Sequence, residues 1–504
     1  MKKYIFSILI ASMVGISGCK DYLDINSDPS VPQQAQASAL LAPLIQQMAR
    51  GEQFDIRYIG KYVQNYAQST ANDVWDLHGY IASSDASGEK WRSHYFGIGG
   101  NVDLLVADAN ANQRWDYSGA AKAIRAWSWQ STTDYHGEMI LKQIFEPNRY
   151  VFDFDSQEEV YAEVVRLSNE ALADLNKTDG AVSTASLRRG DNVYAGDRTK
   201  WIKFVYGNLA RNANHLSNKA TYKPDQVIEY VDKALASNAD NFIIPFNGSS
   251  TADASFFGPL RNNMGGFRQT AFMVSLLDGS VFGDAPDPRL PIMLTASPDG
   301  LYRGVVPGSG DPNNVNGNTR RVPTPWGVQL DAYVSTSTPG KYIYRNNAGF
   351  PVITYSELQF IKAEAAFKKG DRATALDAYR KGIIAHMDYA GVAATARDAY
   401  MASRAVKKTG ADLTLSDIML QKYVSLAVHG SLETWVDMRR YRYSPDVYTG
   451  FKLPTTLSVD NNGKPAVRVR PRFNSEYVWN RASLDKIGAN GNDYHTIEPW
   501  FMKP

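Results

Sequence analysis

From Ala37 to Tyr66 the chain places apolar residues at spacings of three and four, with Leu40, Leu41, Leu44, Ile45 and Met48 on one stripe. That period predicts a long amphipathic helix. The same pattern predicts helices over about Gly119–Ile140 and Gln157–Leu175, the latter opened by the cap signal Asp155-Ser156 and closed by a polar stretch from Asn176 to Gly180. Thr199–Leu216 and Pro224–Ala236 read as helices too, with Pro224 suited to a first turn. Between about residues 238 and 353 the pattern changes, because Gly, Pro, Asn and Ser become frequent and only short apolar pieces remain. Phe242–Phe246 and Tyr342–Tyr344 read there as strands or extended loops. Helical periodicity returns at Ser356–Lys369, Arg372–Met387, Leu415–Val428 and Leu432–Tyr441, before an irregular end rich in Arg, Pro and Asn.

One helical pair carries a repeat grammar. After Ala363-Glu364-Ala365-Ala366-Phe367 and the turn at Gly370-Asp371, Ala375, Tyr379 and Gly382 occupy the small, aromatic and small positions of the second helix of a tetratricopeptide unit. Small residues let two helices approach closely, and the aromatic fills the gap to the next unit. The pairs at 119–175 and 199–236 have similar lengths with weaker matches. The expected fold is therefore all-α: a tetratricopeptide-like scaffold at about 119–236 and 355–441, with an irregular, loop-rich lobe at about 238–353 containing a few short strands.

The only cysteine of the 504 residues, Cys19, follows an apolar run that opens after Lys2-Lys3 and ends at Ile16-Ser17-Gly18. The run from Tyr4 to Ile16 spans about 13 residues, short of the ~20 that a membrane-spanning helix needs. It reads as a signal peptide over residues 1–18, cleaved before a Cys19 that carries the acyl chains of a lipoprotein. Residues 19–36 are polar and proline-interrupted, hence a flexible tether, and 37–504 form a single domain. Acidic residues close behind Cys19 fit display on the outer face of the outer membrane.

Charge and residue inventory narrow the function. With 54 basic against 52 acidic residues and no basic stripe, nothing points to nucleic acid. Once Cys19 is acylated no thiol is left for a disulfide, a thiolate metal site or a cysteine nucleophile. The seven histidines include no pair at i, i+3 or i, i+4, and there is no P-loop, dinucleotide fingerprint or Gly-x-Ser-x-Gly elbow. Glu158-Glu159 opens a helix, where acidic residues favour the dipole. Asp108, Asn110 and Asn112 alternate like calcium-loop ligands, but Gln113 stands where the turn glycine belongs and Gly119 where the closing glutamate belongs. The chain reads as a binding protein that calls for no catalytic residue, cofactor or metal.

The 29 tyrosines and 10 tryptophans suggest how it binds. Trp127, Trp201 and Trp435 sit at helical spacing among apolar residues and read as core. Trp75, within Asn72-Asp73-Val74-Trp75-Asp76, and Trp326, behind Arg320-Arg321-Val322-Pro323-Thr324-Pro325, lie in polar, loop-like segments. Aromatic rings stack on the apolar faces of sugars while Asp, Asn and Arg bond the hydroxyls. The expected ligand contacts are Asp73, Trp75, Tyr302, Arg303, Arg321 and Trp326.

Several motifs in order carry a resemblance. They are Cys19 followed by Lys20-Asp21-Tyr22-Leu23-Asp24, Ala126-Trp127 with Thr133-Asp134-Tyr135-His136-Gly137-Glu138, and Trp201-Ile202-Lys203-Phe204 leading to Asn208-Leu209-Ala210-Arg211. Asp287-Pro288-Arg289-Leu290, Tyr355 through Ala365, Gln421-Lys422-Tyr423, Glu433-Thr434-Trp435 with Arg439-Arg440, and Arg472-Phe473 ahead of Glu476 and Asn480 complete the set. Through these the chain resembles the SusD/RagB family of nutrient-binding outer-membrane lipoproteins, in its SusD-like subgroup. His136 and the stretched link Tyr441–Pro445 depart from the family pattern. The resemblance implies a cell-surface protein whose irregular lobe is the ligand-binding lobe and which captures oligosaccharides, or alternatively peptides, and passes them to a SusC-like TonB-dependent outer-membrane transporter; a surface glycan-degrading enzyme is the rival reading.

Overall fold

The computed structural model describes residues 35–504 apart from 82, 145, 147, 284 and 328–339. Cys19, the signal peptide and most of the tether lie outside the described residues. Ala37–Pro504 form one compact unit. Its long helices are α1 (Ala37–Tyr62), α2 (Gly100–Ala111), α3 (Trp115–His136), α4 (Gln157–Asn176), α5 (Arg198–His215) and α6 (Pro224–Lys233). After the loop-rich segment, which holds α7 (Ala271–Leu277), come α8 (Tyr355–Lys369), α9 (Arg372–Ala390), α10 (Ala394–Ala402), α11 (Leu415–Ser425) and α12 (Ser431–Arg440).

Local signals set most boundaries. Ser156 accepts a hydrogen bond from the Glu159 amide, and Glu159 bonds back to Ser156, so α4 opens on a capping box. Thr414 and Asp417 do the same for α11. Gly370 ends α8 at φ +90°, a left-handed cap that glycine adopts without strain. The first helix stops at Tyr62, four residues before the period predicts, because Gln64 turns left-handed and the Tyr66 ring folds back over Gly60. A Cβ at Gly60 would lie 2.5 Å from the Tyr66 ring carbon Cζ.

Helix dominates, and the strands among the described residues are four short ones in two antiparallel pairs: β1 (Ala67–Gln68) with β3 (Phe267–Arg268), and β2 (Phe242–Ile244) with β4 (Phe350–Ile353). The Phe242–Phe246 expectation holds over its first three residues. Tyr342–Tyr344 is a 3₁₀ turn and no strand, since Tyr342 has φ +45° and cannot continue an extended ladder. Helices α3 with α4, α5 with α6 and α8 with α9 pack as pairs. The repeat grammar is literal here: Ala375 and Tyr379 are fully buried, and a Cβ on Gly382 would meet the Phe360 ring at 2.8 Å. Trp201 and Trp435 are fully buried and Trp127 nearly so.

The helical pairs meet at a buried belt of charge. The Arg211 guanidinium on α5 forks onto Glu357 of α8 at 2.5 and 2.6 Å and also donates to the Val352 carbonyl. Arg440 of α12 forks onto Glu364 of α8 at 2.6 and 3.0 Å, and Lys422 of α11 reaches Asp437 at 2.7 Å. His215 lies between Asp134 of α3 (Nδ1–Oδ2, 3.2 Å) and Glu433 of α12 (Nε2–Oε2, 2.9 Å). Burial alone would lower the imidazole pKa, yet the two carboxylates outweigh it and raise it to about 9. Asp134, His215 and Glu433 offer three potential metal-ligand atoms within 4.8 Å of one another. A protonated ring donates from both nitrogens to these carboxylates, and a metal would have to displace the proton from one of them.

A pKa raised on folding stabilises below the unfolded value of about 6.5 and is lost as pH rises through the folded value. Stability of the wild type should therefore fall between about pH 6.5 and 9 more steeply than that of His215→Gln, by up to ~1.4 kcal/mol per pH unit. Denaturant melts of both proteins across that range measure the difference, and parallel slopes would mean that His215 is neutral.

Candidate functional site

The two polar stretches singled out in the sequence do come together. The Asn72 amide donates to Gly308 O at 2.9 Å, Asp311 N to Ser69 O at 2.8 Å, and the Asp76 carboxylate accepts from the Gln68 amide at 2.9 Å, so residues 69–80 lie along residues 305–311 beside β1 and β3. Their aromatic rings point inward, which corrects the expectation for both tryptophans. Trp75 is 2% exposed, packed against Tyr58, Tyr80 and Tyr62 at centroid distances of 4.7, 5.0 and 5.7 Å. Trp326 is 2% exposed, and its indole N–H donates to Phe257 O at 2.7 Å. Neither ring has a face free for a sugar.

The polar residues are committed as well. Asp73 Oδ1 accepts from Lys61 Nζ at 2.8 Å and from the amides of Trp75 and Asp76, which makes it the organiser of its own turn. Arg321 is buried and donates to the Asn314 and Asn316 side chains. Arg303 forks onto Asp299 at 2.6 and 2.8 Å. Tyr302 is half-buried against the core and alone of the six keeps an aromatic edge toward solvent. Asp108 belongs to α2 and accepts from the Ala37 amide at 2.8 Å, so the calcium-like spacing serves a helix contact.

A better-formed site lies where the lobe meets the last turn of α9. A pocket of about 310 Å³ is lined by Tyr342, Tyr389, Arg345, Ile243, Ile292 and Gly349, among others. Tyr342 holds φ +45°, a left-handed conformation that is an outlier for a bulky residue and persists only where its surroundings over-determine it. A chain of bonds supplies that constraint. Asp287 carboxylate oxygens accept from Arg289 Nε at 2.9 Å and Nη2 at 2.6 Å, and Arg289 Nη1 donates to His386 Nδ1 at 2.8 Å. Because a guanidinium only donates, His386 Nδ1 is the acceptor and the ring proton sits on Nε2, which meets the Tyr342 hydroxyl at 3.0 Å. Burial, with the charge of Arg289 behind it, pushes the His386 pKa well down, in keeping with a neutral ring.

With its hydroxyl anchored inside, Tyr342 turns its ring to the pocket, with Tyr389 at 6.3 Å and 79° to it. Arg345, exposed, donates from Nε to Tyr342 O at 3.1 Å. A Cβ on Gly349 would meet Ile243 at 2.5 Å, so the pocket floor closes only with glycine there. Two crossed rings, an aliphatic floor and one guanidinium can stack a flat apolar face and bond its polar rim. Among the described lining residues there is no carboxylate, histidine, serine or threonine. Sequence reasoning missed this pocket because Tyr342 looked like part of a strand and Tyr389 like one more residue of a helix end.

The described residues form a scaffold of helical pairs with a pocket at the edge of an irregular lobe, and no helix among them is long and apolar enough to cross a membrane. Residues 29–470 match the SusD-like family described as starch-binding and associating with the outer membrane, and the chain belongs to that family. Solved structures agree at the level of fold. A SusD/RagB family protein from Bacteroides thetaiotaomicron superposes with TM-score 0.72 at 19% identity, covering 93% of this chain and 99% of that one. A chitin-binding protein gives 0.71 at 21% identity over 93% and 100%, and a chitin-binding SusD homolog from Flavobacterium johnsoniae gives 0.71 at 18% over 92% and 98%. No curated protein matches the chain.

The inward placement of Trp75 has a direct consequence. Trp75→Ala should cost about 3–5 kcal/mol of stability, the range for removing a large aromatic from a packed core. Thermal melting measures it, and an unchanged melt would return the ring to the surface.

Proposed function

We propose that this protein is a surface lipoprotein, anchored through an acylated Cys19, that captures oligosaccharides and passes them to a SusC-like TonB-dependent transporter in the outer membrane. The observation that carries the reading is the match of residues 29–470 to a family described as starch-binding and associated with the outer membrane. The chitin-binding proteins of the same fold support a glycan as ligand. Within the chain, the Tyr342 pocket supplies the chemistry: a pyranose ring lies against Tyr342 or Tyr389, and Arg345 donates to its hydroxyls.

Titration calorimetry of the mature protein against chito- and malto-oligosaccharides, with a peptide panel beside them, tests the ligand class. Tyr389→Ala should weaken glycan binding by roughly 1–2 kcal/mol, about 5- to 30-fold in Kd, for the loss of one stacked face. Peptide binding without glycan binding would keep the capture role and change its cargo, and release of reducing ends during the titration would make the protein an enzyme.

Anchoring is tested separately. Cys19→Ala should abolish labelling with a radioactive fatty acid and release the folded body from the membrane fraction. A variant that still labels and sediments would overturn the lipoprotein reading.

A further inference from the structure

The solvent face of α1 carries a second, larger concavity that the Tyr342 pocket does not explain. On one side of Arg50 lies a groove of about 600 Å³ lined by Pro43, Gln47, Arg92, Phe96, Asn101 and Leu104. On its other side lies a groove of about 280 Å³ lined by Gln46, Gln53, Phe246, Phe256 and Arg261. Arg50 lines both, so the two grooves share one guanidinium, and together they make the α1 trough. Phe96 is 75% exposed and Leu104 59%, which is unusual for side chains of that size beside a well-packed core.

The backbone places Phe96 there. Residues Ser93–Gly99 form a π-helical turn ahead of α2, and a widened turn of this kind displaces side chains from the regular helical stripe. The turn also sits hard against α1, since a Cβ on Gly97 would meet Gln47 Oε1 at 2.9 Å. Ser93 and Ile98 are buried by the same turn that leaves Phe96 outside.

Charge singles the trough out further. Arg50, Arg92 and Arg261 line it, and no described carboxylate does. The nearby acids are committed elsewhere. Glu89 accepts from Arg92 at 3.1 Å and stands 4.0 Å from Arg50, whose side chain remains 66% exposed. Asp253 turns onto Ser249 and Ser250, Asp103 pairs with Arg125, and Glu52 is buried against Lys90. Arg261 donates one N–H to Thr251 O, and Arg57 adds a further cation 5.0 Å from the Phe256 ring. For a chain with a formal charge of only +2 this is a local concentration of positive potential.

We propose that the α1 trough is a second glycan subsite that takes oligosaccharides bearing carboxylate or sulfate groups. Guanidinium forks match the geometry of those anions, exposed rings stack the apolar sugar faces between them, and the side-chain amides bond hydroxyls. The proposal rests on the glycan-capture reading and adds to it the charge class of one cargo.

The test uses the whole mature protein, with a galacturonate tetramer as anionic probe and chitotetraose as neutral probe. Wild type should bind the anionic tetramer with an affinity that falls as salt rises. Arg50→Gln combined with Arg261→Gln should weaken that binding about tenfold or more and flatten the salt dependence, because two ion pairs are lost. Phe96→Ala should weaken it about 5- to 30-fold with the salt dependence intact. Chitotetraose affinity should not change in either variant, and Tyr389→Ala should show the reverse pattern. Wild-type affinity for the anionic tetramer in the arginine variant would overturn the proposal, as would chitotetraose binding by wild type with no binding of the tetramer, which leaves glycan capture standing. Failure of wild type to bind either probe sinks both readings. Variants that keep both sugars yet lose co-purification with an outer-membrane protein would assign the trough to a protein interface.

Discussion

Everything in this molecule hangs on charges that have been taken out of water. Arg211, His215, Lys422 and Arg440 are almost wholly buried, and each finds a carboxylate on a neighbouring helix: Glu357, Asp134 and Glu433, Asp437, Glu364. Desolvating so many ions is costly, and hydrophobic isosteres would hold helices together at least as well. What ion pairs add is position. A leucine face can slide by an ångström and lose little, whereas a forked guanidinium with one partner removed leaves a buried charge and costs about 3–5 kcal/mol. The belt therefore fixes α3, α5, α8, α11 and α12 relative to one another more exactingly than apolar packing does.

The same device extends from the scaffold to the pocket. Arg289 is fully buried, forks onto Asp287 at the end of the lobe, donates to Gln421 on α11 at 2.7 Å, and reaches His386 on α9. Through His386 it fixes the hydroxyl of Tyr342, whose backbone would otherwise relax out of the left-handed region. A binding ring held by its far end, on a chain of bonds that leads back to two scaffold helices, is preorganised; little side-chain entropy remains to be lost when a ligand lands on it.

This explains what could be read from the sequence and what could not. Helices announce themselves through period and caps, and the motifs that carried the family resemblance, such as Arg211, Glu357, Glu364, Asp287-Arg289, Glu433 and Arg440, prove to be the ion belt and its extension. Trp127, Trp201 and Trp435 could be assigned to the core because they sit at helical spacing among apolar residues. Trp75 and Trp326 could not, because their polar neighbours looked like solvent-facing loops. Asp73 and Asp76 are in fact spent on backbone amides and on Lys61, and the turns they organise drive the indole into the core. Local polarity reports where backbone groups need partners as readily as it reports exposure. Helix α2 was missed for a related reason, since its glycine-rich π-turn blurs the helical period just where Phe96 is pushed outward.

Burying so much charge also changes what the remaining surface charge means. In an ordinary protein with 54 basic and 52 acidic residues, three arginines along a groove would be unremarkable, because exposed acids nearby would balance them. Here Asp55, Asp134, Glu357, Glu364, Glu433 and Asp437 are withdrawn into the interior, and Glu52 and Lys90 neutralise one another directly beneath α1. The field above the trough is set by the residues left outside: Arg50, Arg92 and Arg261 against Glu89 and Asp253, with Asp103 paired to Arg125 beside them. The Tyr342 pocket sits at the other extreme, its one exposed guanidinium bonded to a neutral carbonyl and its histidine held without charge. One scaffold thus presents two surfaces of different polarity, and the division follows from which charges the helix packing required for itself.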